Sequence, residues 1–201
     1  MKWLIASDIH GSAYFCEKLI EAYKRENADK ILLLGDVLYH GPRNDLPEGY
    51  APKQVIVMLN ELAQDILCVR GNCDAEVDQM VLDFPLMADY AIITEDVMNS
   101  HCAKGSKEDG QRIRIHMIYA THGHIYNNGN LPPLHKGDIL LHGHTHVPAC
   151  EQYETHTYIN PGSVSIPKEG SPHSYMVFDG EVFEWKTLDG EVYREFLCKA
   201  K

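Results

Sequence analysis

The sequence predicts an α/β fold whose first half alternates strands with helices and whose second half is rich in β-strands. Short apolar runs that are typical of buried strands recur along the first half, and an amphipathic helical pattern follows the first of them. In the second half, the dipeptides Asp179-Gly180 and Asp189-Gly190 are typical of β-hairpin turns. A length of 201 residues suits one domain, spanning residues 1–201, with a sizeable core.

The N-terminal segment predicts a strand, a turn and a helix. Trp3–Ala6 is an apolar run, and Ser12, six residues after it, is suited to cap a helix. That helix carries one face of apolar side chains, namely Phe15, Cys16, Leu19, Ile20 and Tyr23.

Later segments continue this pattern. Further strands are predicted at residues 31–34, 66–69, 112–121 and 139–141. A helix is predicted around residues 53–62, after a loop of residues 38–52 that contains Pro and Gly and whose length indicates a functional role. From Asp89 the strands become shorter, with a hairpin predicted around the polar turn 104–111. Residues 182–196 predict an ordinary sheet with one solvated face.

Polar side chains follow five of the predicted strands, at the point where each strand ends. The five segments are Asp8-Ile9-His10, Gly35-Asp36, Gly71-Asn72-Cys73-Asp74, His122-Gly123-His124 and Gly143-His144-Thr145-His146. Because ligands bind beyond the carboxyl ends of strands in open α/β sheets, these segments can converge on one site. Each alone has an ordinary explanation, such as a helix cap or an Asx-turn formed by Asn72 and Asp74. Together, five strand ends rich in oxygen and nitrogen donors predict a shared divalent cation site.

This ordered set of motifs resembles that of the calcineurin-like metallophosphoesterases. Further stretches, at residues 38–44, 48–52, 69–80 and 160–164, resemble the small bacterial YfcE-type phosphodiesterase branch of that superfamily. The resemblance covers most of the chain. It implies a four-layer α/β/β/α sandwich, in which two mixed β-sheets are flanked by helices.

The resemblance also implies two metal sites that share one carboxylate. Motif by motif, Asp8, His10, Asp36 and His146 match the ligands of one metal ion. Asp36, Asn72, His122 and His144 match those of the other, so that Asp36 bridges the two. The candidate catalytic residues are Asp8, His10, Asp36, Asn72, Cys73 and His122. A ligand set of carboxylates, imidazoles and an amide without a thiolate favours two Mn²⁺ ions, with Zn²⁺, Fe²⁺ or Ni²⁺ as alternatives.

The activity implied by the resemblance is hydrolysis of a small phosphodiester. Two cations would hold a bridging hydroxide for in-line attack, without a covalent enzyme intermediate. A phosphomonoesterase or a cyclic-nucleotide phosphodiesterase is the alternative within the enzyme class. A non-catalytic interaction scaffold on the same fold is the alternative from another class, although here every metal-ligand position is filled.

Cys73 departs from the superfamily pattern, in which the third residue of the Gly-Asn-His-Asp/Glu motif is usually His. In the superfamily, that His stabilises the phosphoryl transition state or protonates the leaving group. Because this chain has Cys73 there, the sequence does not identify its general acid. The sequence also does not decide the roles of three further features, which are either part of the site or ordinary loop residues: Arg43, His124 and the turn of residues 160–163.

Composition excludes several classes of protein. A net charge of −11 argues against general nucleic-acid binding, because contacts to a phosphate backbone need clustered Lys and Arg. No apolar stretch reaches membrane-spanning length, and the N-terminal apolar run is too short for a signal peptide, so we expect a cytoplasmic protein without a membrane partner. The six cysteines contain no Cys-x-x-Cys pair, which predicts reduced thiols. The sequence does not decide the oligomeric state, and a homo-oligomer is one possibility.

Overall fold

The computed structural model of the protein describes residues 1–94 and 117–198. In chain order, the strands of this part are β1 (Trp3–Ala6), β2 (Lys30–Leu33), β3 (Ile66–Cys68), β4 (Tyr90–Ile93), β5 (Ile118–Thr121), β6 (Asp138–His142), β7 (Ala149–Gln152), β8 (His156–Asn160), β9 (Ser174–Phe178), β10 (Val182–Thr187) and β11 (Val192–Leu197). The helices are α1 (Ala13–Glu26), α2 (Pro52–Asn60) and α3 (Glu76–Gln79), and Ala63–Asp65 forms a 3₁₀ turn.

The strands form two mixed sheets. The first runs in the order β11-β10-β9-β1-β2-β3, with β1, β2 and β3 parallel and β9, β10 and β11 joined as antiparallel hairpins. The second runs in the order β4-β5-β6-β8-β7, with a parallel centre and antiparallel edge strands. Both predicted Asp-Gly hairpins are therefore confirmed, as is the predicted sandwich of two mixed sheets with flanking helices.

Helix α1 begins where the sequence predicts. The side chain of Ser12 accepts a hydrogen bond from the backbone N–H of Phe15 at 3.2 Å, which satisfies one of the otherwise unpaired donors of the first turn. At the other end, Asn27 adopts the left-handed conformation that ends many helices. The apolar face of α1 is buried, and each fully buried side chain such as Leu19 contributes about 1.5–3 kcal/mol of hydrophobic free energy.

The central strands β1 and β2 of the first sheet are buried on both faces, with successive side chains pointing in opposite directions. Leu4 of β1 and Leu33 of β2 pack with α1 and α2 in one core. Ile5 and Leu32, their neighbours in sequence, pack in a second core against residues of the other sheet, including Ile139. This arrangement places the strand ends of both sheets beside each other.

Some predicted elements extend outside the described residues. The predicted turn of residues 104–111 and the beginning of the predicted strand 112–121 lie outside the described residues. Strand β4 precedes this segment in the chain and β5 follows it, and these two strands pair antiparallel. Helix α2 corresponds to the helix predicted at 53–62. The five cysteines within residues 1–94 and 117–198 are free thiols. No helix in the described part of the chain is long and apolar enough to cross a membrane.

Candidate metal centre

The structure brings all seven predicted metal ligands into one cluster at the strand ends. His10 Nε2 lies 3.3 Å from His146 Nε2, although 136 residues separate them in the chain. His122 Nε2 lies 3.1 Å from Asn72 Oδ1 and 3.1 Å from His144 Nδ1. The two remaining ligands, Asp8 and Asp36, lie between these groups.

Asp8 provides the clearest indication that the cluster suits a cation. Its side chain is fully buried, and its Oδ1 atom has no hydrogen-bond partner. That oxygen faces His10 Nε2 at 3.6 Å and His146 Nε2 at 3.4 Å. A buried carboxylate oxygen without a donor carries a large desolvation cost, which a bound cation would offset.

The imidazoles of His10 and His146 present lone pairs to the same point. His10 Nδ1 donates to the carbonyl of Tyr39 at 2.8 Å, and His146 Nδ1 donates to the carbonyl of Ile166 at 2.6 Å. A carbonyl only accepts, so both Nδ1 atoms carry the proton and the two Nε2 atoms are acceptors in the neutral rings. Burial lowers the pKa of His146, which favours its neutral form. Two facing acceptors repel each other unless a proton or a metal ion lies between them, so this pair suits a cation.

Asp36 lies between this group and the second one. Its Oδ2 atom is 3.7 Å from His10 Nε2 and 3.4 Å from His122 Nε2. Burial alone would raise the pKa of Asp36, but the hydrogen bond and charge of His122 outweigh burial and lower it below the usual range. Burial conversely disfavours charged His122, yet Asp36 and Asp8 raise its pKa to about 9. The negative potential that holds this proton would equally attract a divalent cation.

His144 completes the second group as a neutral ligand. Burial, followed by the positive charge of His122, lowers the pKa of His144 to about 4, so the ring is neutral at neutral pH and one of its two nitrogens is an acceptor. Its backbone N–H donates to Asp8 Oδ2 at 3.1 Å, which ties the loop after β6 to the loop after β1. His124 stands beside this group, with its ring centroid 5.4 Å from that of His122.

The backbone is strained at most of the ligands. Among the described residues, seven non-glycine residues have positive φ, and five of them are predicted ligands: Asp8, His10, Asp36, His144 and His146. The left-handed conformation costs an L-residue about 1–2 kcal/mol, although less for Asp. Such strain is typical of functional sites, where side-chain placement outweighs backbone preference.

This strain predicts an unusual order of stability at position 144, where φ is 66°. In the metal-free protein, we expect His144→Gly to be more stable than His144→Ala by about 1 kcal/mol, because glycine tolerates positive φ. Thermal unfolding should show a Tm about 2–4 °C higher for the glycine variant. Thr145 provides the matched control, since its φ is not positive and alanine should be the more stable substitution there. An alanine variant at 144 as stable as the glycine variant would contradict the assignment of strain.

Asp74 has a role that the sequence did not predict. Its buried carboxylate accepts hydrogen bonds from the backbone N–H groups of Gly71 at 2.7 Å, Asp36 at 2.8 Å and Val37 at 2.8 Å. It therefore joins the loop after β2 to the loop after β3, and holds Asp36 against Asn72. Only the Gly71 bond is local, so the spacing of the motif could not indicate the other two.

The turn of residues 160–163 also positions the site. Asn160 Nδ2 donates to the carbonyl of Gly143 at 2.9 Å and to Thr145 Oγ1 at 3.0 Å, which supports the loop that carries His144 and His146. Ser163 and Ser165 both donate to the carbonyl of Asp8 at 3.0 Å. This turn thus acts through the ligand loops, without a ligand atom of its own.

Two glycines allow the ligand loops to approach each other. A Cβ atom at Gly71 would lie 2.1 Å from Asp36 Oδ1, and one at Gly143 would lie 1.9 Å from Ser7 Oγ and 2.8 Å from Asp8 Oδ2. Both positions therefore exclude any larger residue while the carboxylates stay in place.

Cys73 lies at the edge of the cluster. Its Sγ atom lies within 4.8 Å of ligand atoms of His10 and Asp36, and its backbone N–H donates to Asp36 Oδ1 at 2.8 Å. Burial, and then the charge of Asp36, raise the pKa of the Cys73 thiol to about 12. It is therefore a neutral thiol at physiological pH and a weak hydrogen-bond donor.

An open cavity of about 490 Å³ gives access to the cluster. Asp36, Asn72, His144 and His146 contribute to its lining, as does Cys73. Two cationic side chains also line it, namely Arg43 from the long loop after β2 and Lys168 from the loop after β8. The chain as a whole has a net charge of −11, but these two positive side chains lie at this cavity, which therefore suits an anionic ligand.

Comparisons with known proteins agree with this geometry. The family model of the calcineurin-like phosphoesterase superfamily domain matches residues 1–181. The phosphodiesterase YfcE of Escherichia coli K12 is 44% identical over 191 residues, which cover 95% of this chain and 94% of that protein. A solved structure of YfcE, described as a phosphoesterase from E. coli, matches with a TM-score of 0.87 at 42% identity, covering 99% of this chain and 100% of that one.

A more distant structure shares the fold alone. Vps29 from Entamoeba histolytica, solved in complex with Zn²⁺, is 18% identical with a TM-score of 0.58, covering 99% of this chain and 100% of that one. The family match and the relative at 44% identity each extend over most of the chain. The predicted family is confirmed, and with it the prediction of a metal-dependent phosphoric ester hydrolase. The chain belongs to the calcineurin-like phosphoesterase superfamily.

Proposed function

We propose that this protein hydrolyses small phosphodiesters and that its cluster holds two divalent cations. The observation that carries the proposal is the position of Asp36 Oδ2, which faces His10 Nε2 at 3.7 Å and His122 Nε2 at 3.4 Å. A carboxylate that lies between two groups of imidazole nitrogens is suited to join two cations. The ligands would divide as the resemblance to the superfamily implies, with Asp36 common to both sets.

The donor set favours Mn²⁺. Neutral imidazoles, carboxylates and the amide of Asn72 suit a borderline metal, and Zn²⁺, Fe²⁺ or Ni²⁺ are the alternatives. When bound, such cations lower the pKa of a water molecule and withdraw charge from phosphoryl oxygens. The protein itself contributes orientation. The carbonyls of Tyr39, Leu34 and Ile166 accept hydrogen bonds from the rings of His10, His122 and His146, respectively, and hold them in place.

The cavity favours a small substrate. Its volume of about 490 Å³ accommodates a diester with two modest ester groups. Arg43 and Lys168 at its lining would bind the non-bridging phosphate oxygens, for which a guanidinium is geometrically suited. The charge of −11 disfavours long polynucleotides, whose binding requires an extended basic surface. The similarity to the phosphodiesterase YfcE favours a diester over a monoester as the substrate.

The experiment is metal depletion followed by reconstitution, with hydrolysis of bis(p-nitrophenyl) phosphate as the measurement. We expect exhaustive chelation to abolish activity and Mn²⁺ to restore at least about ten times more activity than Mg²⁺, which prefers oxygen ligands and retains its waters. Direct metal analysis should find about two ions per chain. Full restoration by Mg²⁺ alone would contradict the imidazole-rich site. p-Nitrophenyl phosphate, assayed in parallel, tests the monoesterase alternative.

A further inference from the structure

A second cavity adjoins the one over the metal cluster. It has a volume of about 390 Å³ and is lined mainly by aromatic and aliphatic side chains: Leu38, Tyr39, Tyr50, Ile56, Val77 and Val81. Cys73 lines both cavities, so the two are neighbours on either side of one small side chain. We call the second cavity the apolar pocket.

One wall of the apolar pocket is attached to the metal cluster. The carbonyl of Tyr39 accepts the hydrogen bond that orients His10, and its ring packs edge-on against His40 at 4.8 Å between centroids. His40 packs edge-on against Tyr50 at 5.3 Å. Burial raises the pKa of Tyr50, in keeping with its apolar surroundings. The position of this aromatic wall is therefore coupled to that of a candidate ligand.

Another part of the lining exposes aliphatic side chains to solvent. Val77 is 65% exposed and Val81 is 44% exposed, and Tyr39, which also lines the pocket, is 43% exposed. Charged residues at the lining are limited to Lys53 and Asp78, and the carboxylate of Asp78 is engaged by the backbone N–H of Ala75. Exposed apolar side chains gathered around a concave surface are typical of a binding site for an apolar group.

Cys73 leaves the boundary between the two cavities small, because its side chain ends at Sγ and lines both of them. Gly41 lies close enough that a Cβ atom there would be 3.0 Å from Cys73 Sγ. A larger side chain at either position would narrow the boundary. A molecule with its phosphate at the metal cluster can therefore extend an uncharged substituent past Cys73.

We propose that the apolar pocket binds an aromatic ester group of the phosphodiester substrate. This inference rests on the proposed function, since the phosphate would lie at the metal cluster. The occupant is an uncharged ring, because the lining offers aromatic faces and aliphatic surface and few polar partners. The pocket thus selects the ester group, while Arg43 and the metal cluster select the phosphate.

The experiment compares Val77→Glu with Val57→Glu in the Mn²⁺-loaded enzyme. Both valines are exposed, at 65% and 60%, but Val57 lies on α2 and lines a different cavity. We expect Val77→Glu to raise KM for bis(p-nitrophenyl) phosphate by about tenfold, because a charge at the wall opposes burial of the ring. The inhibition constant of inorganic phosphate, which has no ester group, should stay unchanged. Val57→Glu should leave both constants unchanged.

A second measurement is independent of metal and turnover. Ligand-observed NMR should detect weak binding of phenol to the metal-free protein, and this binding should disappear in Val77→Glu and persist in Val57→Glu. Unchanged KM and unchanged phenol binding in Val77→Glu would overturn the inference. So would dissociation of a dimer by Val77→Glu with both constants unaltered, since the surface would then be an interface between copies. Failure of the wild-type enzyme to hydrolyse any diester, with phenol binding intact, would instead overturn the proposed function.

Discussion

Asp36→Asn is expected to lower kcat/KM for a phosphodiester by about 10³-fold, or about 4 kcal/mol of transition-state stabilisation, and to lower metal content. A neutral amide cannot hold two cations as a carboxylate does. The amide oxygen can still accept the hydrogen bond from the Cys73 backbone N–H, now made to Asp36 Oδ1 at 2.8 Å. The loops should therefore keep their conformation. The lower kcat/KM and metal content would then result from the lost negative charge and the weaker metal ligand at position 36.

The matched control is Asp45→Asn. Asp45 lies exposed in the long loop after β2 and does not line the cavity over the cluster, so this variant makes the same chemical change outside the site. It should retain metal content and turnover within about twofold of the wild type. If Asp36→Asn kept two metal ions and near-normal turnover, the assignment of the bridging ligand would be wrong.

The convergence of the site could be predicted because it depends on local features that recur. Each ligand segment follows a short apolar strand, and the carboxyl ends of parallel strands such as β1 and β2 meet at one edge of the sheet. The cap at Ser12 was equally local, since it depends on residues three positions apart. Where strand, turn and ligand are adjacent in the chain, periodicity and residue type suffice to predict them.

The supports of the site could not be predicted, because they depend on contacts between distant segments. Asp74 binds the backbone of Asp36 and Val37, more than 35 residues away, and nothing in the local motif indicates that contact. Ser163 binds the carbonyl of Asp8 across 155 residues. The order of strands is similarly non-local, since β1 pairs with both β2 and the distant β9. These interactions follow from the way the two sheets pack. The periodic pattern of apolar residues in the sequence does not indicate which distant segments pack together.

Cys73→His is expected to raise turnover of diesters with poor leaving groups by up to about 10²-fold, the contribution that a general acid commonly makes. In the wild type, the neutral thiol, whose pKa is about 12, is a weak donor and should assist a departing alkoxide little. The enzyme should therefore favour acidic leaving groups such as nitrophenol. Cys73→Ala should change hydrolysis of those esters little, because an activated leaving group needs no proton.

The measurement is the dependence of log kcat on leaving-group pKa, determined with aryl methyl phosphates of matched size for the wild type, Cys73→Ala and Cys73→His. A role for position 73 in protonation predicts a shallower slope for the His variant only. Equal slopes in all three proteins would contradict that role. A uniform loss in the His variant would instead assign Cys73 to packing, because the larger ring would press on Gly41, at whose position a Cβ atom would already lie 3.0 Å from Sγ, and would displace Asn72. The slope separates the two because packing affects every ester alike, whereas proton donation helps each ester in proportion to the basicity of its leaving group.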